Sequence, residues 1–181
     1  MLFRLNIQLN EDDYLAFNRF HSFESTHGKK LVQKSRNLFI IAMVVLAALF
    51  LLVIGLTKFS LIYTTLLLLF TVLYAVFFKR ILTRNLKVQI ARLKKTGKLP
   101  FDPASTLEFS EDRMVEITAS SRTEQNYSII ERVCIVNDRY ILLYKSIVNA
   151  YILPIQQIRE QVNQEDFIAF LSGKCANVEY Y

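Results

Sequence analysis

Two apolar runs of twenty residues each, Leu38–Thr57 and Phe59–Phe78, stand back to back with a single charge, Lys58, between them. At 1.5 Å rise per residue each run would be about 30 Å long as a helix, the thickness of a bilayer's hydrocarbon core. A continuous buried segment would hold Lys58 in its middle, at a cost of about 2.5–3.5 kcal/mol in hydrocarbon. A turn there lets the ammonium reach water, and Gly55 is the nearby residue with the freedom to make one. The spacing predicts a transmembrane hairpin with spans at 38–57 and 59–78. Hydrophobic residues are 52% of the 181 in the chain, and the mean hydropathy of +0.26 fits the same class. The first 37 residues are mostly polar and a second run follows the first directly, which argues against a secretory signal. Two flanked runs of this length are also rare inside globular cores.

Charge orients the hairpin. Lys29, Lys30, Lys34 and Arg36 precede it and Lys79, Arg80, Arg84 and Lys87 follow it, against Lys58 alone in the turn. The positive-inside rule then expects both termini in the cytoplasm of a multi-pass inner-membrane protein. Lys79, Arg80, Arg84, Lys87, Lys34 and Arg36 are the candidate membrane-surface contacts, with Tyr74, Phe77 and Phe78 near the inner headgroup level. No Asp or Glu occurs from Ser25 to Phe101, where thirteen Lys and Arg fall. Residues 1–24 carry a net −2 and residues 102–181 a net −5, so the pI of 9.3 belongs to the membrane flanks. That weighs against nucleic-acid binding. No ionisable group lies inside either span, so a proton relay has no carrier. Ser60, Thr64 and Thr71 share roughly one face of the second helix, suited to bonding a neighbour helix or their own backbone.

The remaining sequence reads as α+β. Leu2–Leu9 alternates, with Phe3, Leu5, Ile7 and Leu9 apolar, as a half-buried strand does. Asn10 follows as an N-cap, with Glu11, Asp12 and Asp13 in the first turn of a helix. Such a strand cannot stand alone and needs a sheet elsewhere in the chain. Lys79–Lys95 keeps helical periodicity as an extension of the second span, ending near Gly97, with Pro100 and Pro103 in the linker. Strands are expected at Leu107–Phe109, Val115–Ala119, Ile129–Val136, Arg139–Tyr144 and Ile147–Leu153, with Ser120–Asn126 a polar connection. A last helix runs from the cap Asn163 to Gly173. The expected organisation is an N-terminal strand and helix (1–35), the hairpin with its basic extension (36–98) and a cytoplasmic domain (99–181). The domain is an antiparallel β roll of pleckstrin-homology type closed by a C-terminal helix, and the N-terminal strand joins its sheet.

The order of these pieces resembles the bacterial YcxB-like family. The likeness runs through "N-E-D-D-Y-L-A-F", the two adjacent spans and the basic helix. It continues in "L-E-F-S-E-D-R-M", "Y-S-I-I-E-R-V", "D-R-Y-I-L-L-Y" and "A-Y-I-L-P-I-Q-Q-I". Tyr127 stands where that family often has Trp. The resemblance implies a membrane-tethered pleckstrin-homology-like domain and transfers no functional residue.

Catalytic patterns are missing. His21 and His27 are the two histidines, there is no Gly-x-Ser-x-Gly elbow, and Cys134 and Cys175 lack metal or redox spacing. The Glu11–Asp13 cluster is explained by the helix dipole. No cofactor, metal site or enzyme activity is expected, and no nucleic-acid partner. The expected function is a binding module that presents its domain to a protein partner, with self-association left open. The alternatives are an immunity protein against a membrane-active toxin and a lipid-headgroup sensor, the latter disfavoured by the domain's net −5.

Overall fold

The computed structural model describes every residue except Lys98, Pro100 and Val148. It divides into two units, residues 1–18 with 93–181 and residues 19–92.

In the first unit, β1 (Phe3–Gln8) pairs antiparallel with β2 (Ala104–Phe109), in the register Phe3↔Phe109, Leu5↔Leu107 and Ile7↔Ser105. β3 (Arg113–Thr118) and β4 (Arg122–Asn126) extend this first sheet in the order β1-β2-β3-β4. A second sheet has the order β7-β6-β5-β8, from β5 (Arg132–Val136), β6 (Tyr140–Tyr144), β7 (Ala150–Pro154) and β8 (Val178–Tyr180). Leu5, Leu107, Phe109, Ile141, Leu143 and Leu153 form the core with Phe167 and Leu171 of α5 (Gln164–Lys174). Phe167 meets Phe3 and Phe109 edge-on, at 5.4 and 5.1 Å between ring centroids.

The second sheet is covered on both faces, which is why β5, β6 and β7 read as continuous apolar runs. Val133 and Ile135 point into the core. Tyr144 and Tyr140, by contrast, meet α1 (Glu11–Phe23): Phe17 lies 6.1 Å from the Tyr144 ring, and the Tyr140 hydroxyl donates to Asp13 Oδ1 at 3.0 Å. Burial, then that hydrogen bond, pushes the Tyr140 hydroxyl up to about 12, so it remains a donor. Asn10 caps α1, its Oδ1 accepting from the Asp12 and Asp13 backbone N–H groups, while Asp13 Oδ2 accepts from the Asn10 N–H.

The free edge of β1 is closed by two glutamines. Gln157, on α4 (Ile155–Arg159), accepts from the Gln8 N–H at 2.8 Å and donates to the Gln8 carbonyl at 2.7 Å. Gln161, in the turn that follows, does the same for Asn6, at 2.7 and 2.9 Å. Their amides stand where the next strand would lie, and so blunt an edge that could otherwise recruit another chain. Replacing both with alanine (Q157A/Q161A) is expected to lower stability by about 1–2 kcal/mol and to increase cross-linked oligomers. Thermal unfolding and chemical cross-linking of the full chain in detergent would check this.

Several expectations are corrected. The polar connection Ser120–Asn126 contains the edge strand β4. The Ile129–Val136 strand begins only at Arg132, after a 3-10 turn at Tyr127–Ile129. Tyr127 therefore sits in a turn, its hydroxyl donating to the Ser110 and Arg113 carbonyls at 2.8 and 3.1 Å. The strand expected at Ile147–Leu153 is Ala150–Pro154, and the part on Val148 falls outside the described residues, as do Pro100 and Lys98 of the linker. Asn163 does cap α5, accepting from the Glu165 and Asp166 N–H groups. Gly173 lies inside α5, however, and Cys175 forms its C-cap. Nor is α5 the last element: β8 follows it and pairs in parallel with β5, so the second sheet is mixed.

The second unit holds α2 (Thr26–Ile54) and most of α3 (Lys58–Lys95), helices of 29 and 38 residues that are long and apolar enough to cross a membrane. α2 starts well before the apolar run, so Lys29, Lys30, Lys34 and Arg36 are helical. The Ser25 hydroxyl sets this start by accepting from the Gly28 N–H at 3.1 Å and donating to the His21 carbonyl at 2.6 Å. Gly55 turns the chain with φ +78°, and Thr57 and Ser60 cap α3 reciprocally. Small side chains line the helix pair: Ala47, Ser60, Thr64 and Thr71 are buried. Ser60 and Thr71 bond the Gly55 and Leu67 carbonyls, within their own hairpin segment. Outside this seam the two helices are bare, with Leu52 and Val53 at 80% and 84% exposure.

Candidate binding cleft

The inner face of the first sheet changes character along its length. Phe3, Leu5, Phe109 and Met114 fill the core at one end. The same face continues through Ser105, Glu116, Thr123 and Gln125, as the register dictates. At this polar corner lies a cleft of about 500 Å³, within the range of about 300–1,000 Å³ usual for small-ligand sites. Leu9, Tyr14, Phe17, Phe101, Leu107 and Ile152 are its apolar lining, and Asp102, Ser105, Glu116, Lys145, Asn149 and Tyr151 its polar lining.

Tyr151 organises the polar wall. Its hydroxyl donates to Glu116 Oε2 at 2.8 Å and lies 3.2 Å from Gln125 Oε1. The ammonium of Lys145 lies 4.0 Å from the centroid of its ring. Burial first, and the Glu116 hydrogen bond second, hold the Tyr151 hydroxyl well above its ordinary value. It is a fixed neutral donor and not a base. Across the cleft, Tyr14 stacks on Phe101 with centroids 5.0 Å apart. The lining thus offers a cation, two carboxylates and a phenol together with aromatic surface. This suits recognition of an amphipathic group.

The two cysteines lie outside the cleft. Burial pushes the Cys134 thiol up to about 12 and raises that of Cys175. Among the described residues, no three metal-ligating side chains gather.

The residues singled out in the sequence for membrane contact lie on α2 and α3. Lys34, Lys79, Arg80, Arg84 and Lys87 are exposed, and Arg36 is half-buried. Arg36 and Lys79 share one recess, and the other four do not line it. The cleft itself escaped the sequence reading. Val115 and Ile117 invite the assignment of the core face of β3, yet the register turns Met114 and Glu116 inward beside Phe109 and Leu107. No protein-family model matches the chain, and neither a curated protein nor a solved structure does.

Proposed function

We propose that the protein is an integral membrane protein with both termini cytoplasmic, carrying a pleckstrin-homology-like roll as a non-catalytic binding module for a protein partner. Membrane insertion is supported by the bare apolar flanks of α2 and α3, a surface far larger than a soluble monomer tolerates. The shared location of the termini is supported by the pairing of β1 with β2. These strands flank the hairpin, and two crossings return the chain to its starting side. A four-strand meander, a three-strand meander and a helix follow one another as in a pleckstrin-homology-type roll, in keeping with the YcxB-like resemblance. Reporter fusions are expected to find Met1 and Tyr181 inside and Lys58 outside; an external C-terminus would refute this orientation.

The cleft carries the binding reading. Its paired aromatic and charged walls suit an apolar side chain with polar groups beside it, as a protein segment supplies. The net −5 of residues 102–181 opposes adsorption of this domain to anionic lipid. A photo-cross-linking residue at Asn149 in the full chain is expected to trap one recurrent protein in cells. Ala150→Trp, which fills the cleft, should abolish that adduct while the same probe at Glu111 remains silent. Equal labelling from both positions, or labelling indifferent to A150W, would sink the cleft as the docking site.

A further inference from the structure

Where α1 ends and α2 and α3 run side by side, the second unit holds a recess of about 400 Å³. Three cations line it: Lys29 and Arg36 from α2, and Lys79 from α3. Its lining contains no acidic side chain, and among the described residues none of the three takes part in an ion pair. Arg36 Nε is buried without a hydrogen-bond acceptor. A buried donor of this kind is costly unless an acceptor reaches it. The Lys79 ammonium lies 5.9 Å from the centroid of the Phe23 ring, which holds it over the recess. The level is also informative. Arg36 lies two residues before the first apolar run and Lys79 directly follows the second, so the recess opens at the headgroup layer, with Val76 below it.

From these features we infer that the recess is a binding site for the phosphate of an anionic phospholipid headgroup. Lys29 and Lys79 supply point charges, Arg36 adds its guanidinium charge, and the apolar lining of Phe23, Val32 and Val76 suits the first methylenes of the acyl chains. The positive-inside rule accounts for basic flanks in general. It does not account for three of them converging on one recess whose lining holds no acidic partner. The inference rests on the membrane reading given above, and it is independent of the cleft and its protein partner.

The test is native mass spectrometry of the full chain, released from nanodiscs of phosphatidylcholine with one-fifth phosphatidylglycerol. Wild type is expected to retain one phosphatidylglycerol. R36Q/K79Q should lower that retention roughly tenfold, whereas R80Q/R84Q, with the same loss of charge outside the recess, should retain it. Arg36→Lys, which keeps the charge and the insertion signal but removes the planar guanidinium, should still weaken it. Equal loss in both double variants would reduce the effect to diffuse attraction and overturn the site. Displacement of the lipid by millimolar inorganic phosphate would identify a free-anion site and overturn the lipid assignment. Carbonate extraction of membranes distinguishes the two failures: wild type washed into solution refutes membrane insertion itself, and the lipid site with it.

Discussion

Deletion of residues 1–9 is expected to unfold the α+β unit while α2 and α3 stay paired. The deletion removes Leu5 and Ile7, which are 0% and 2% exposed in the core. Truncating either alone to alanine typically costs about 2–5 kcal/mol. It also strips one edge of β2 and leaves Gln157 and Gln161 without the backbone they close. The combined loss approaches the whole of a small domain's stability, about 5–15 kcal/mol. Limited proteolysis of the full chain in detergent would read this directly. Residues 101–181 should become labile in the deletion, and a fragment as resistant as wild type would show that β1 is dispensable.

Gly28→Ala should have the next largest effect, for a reason that lies in one atom. A Cβ at Gly28 would fall 1.6 Å from the His21 carbonyl oxygen and 2.7 Å from its carbon. Both obstacles are backbone, so no rotamer change relieves them. The α1–α2 joint must open, which breaks the Ser25 bonds to Gly28 and His21. Overpacking of this severity costs about 3 kcal/mol. A lower melting temperature and faster amide exchange confined to residues 19–36 would confirm it. Because Ser22, Phe23 and Lys29 line the basic recess beside this joint, the variant should lose retained phosphatidylglycerol as well.

The legible parts of the fold are those in which one local signal suffices. Alternation at Phe3, Leu5 and Ile7 marks a strand with one buried face, and Asn10 and Asn163 mark helix starts because each carbonyl oxygen meets free backbone N–H groups. Gly97, with φ +67°, likewise marks the end of α3. What stayed hidden depends on partners distant in sequence. Arg122–Asn126 is polar on both faces, because as an edge strand it has little core to face, and an Arg113–Glu124 ion pair supports it across the ladder. β8 is three residues long, and the Tyr181 N–H to Ile135 carbonyl bond that extends it has no local trace. The cleft was illegible for the same reason. Glu116 reads as solvated charge until the register sets it beside Leu107 and the Tyr151 hydroxyl closes on it. The recess, by contrast, was half-visible: the sequence supplies the cations, and only the packing of α2 on α3 selects Arg36 and Lys79 from among them.

The closing of β1 by Gln157 and Gln161 has a consequence for how the chain is made. Asn6 bonds Thr106 one hundred residues later, and its backbone then waits for Gln161. At about 5–20 residues per second of synthesis, the N-terminal strand spends on the order of ten seconds without its sheet. On the membrane reading, the interval is also when the hairpin inserts. A nascent chain that crosses only once would leave β1 and β2 in different compartments, where no sheet can assemble and both edges stay open to proteolysis. Folding of this domain would thus act as a proofreading step on insertion, sparing only chains that crossed twice.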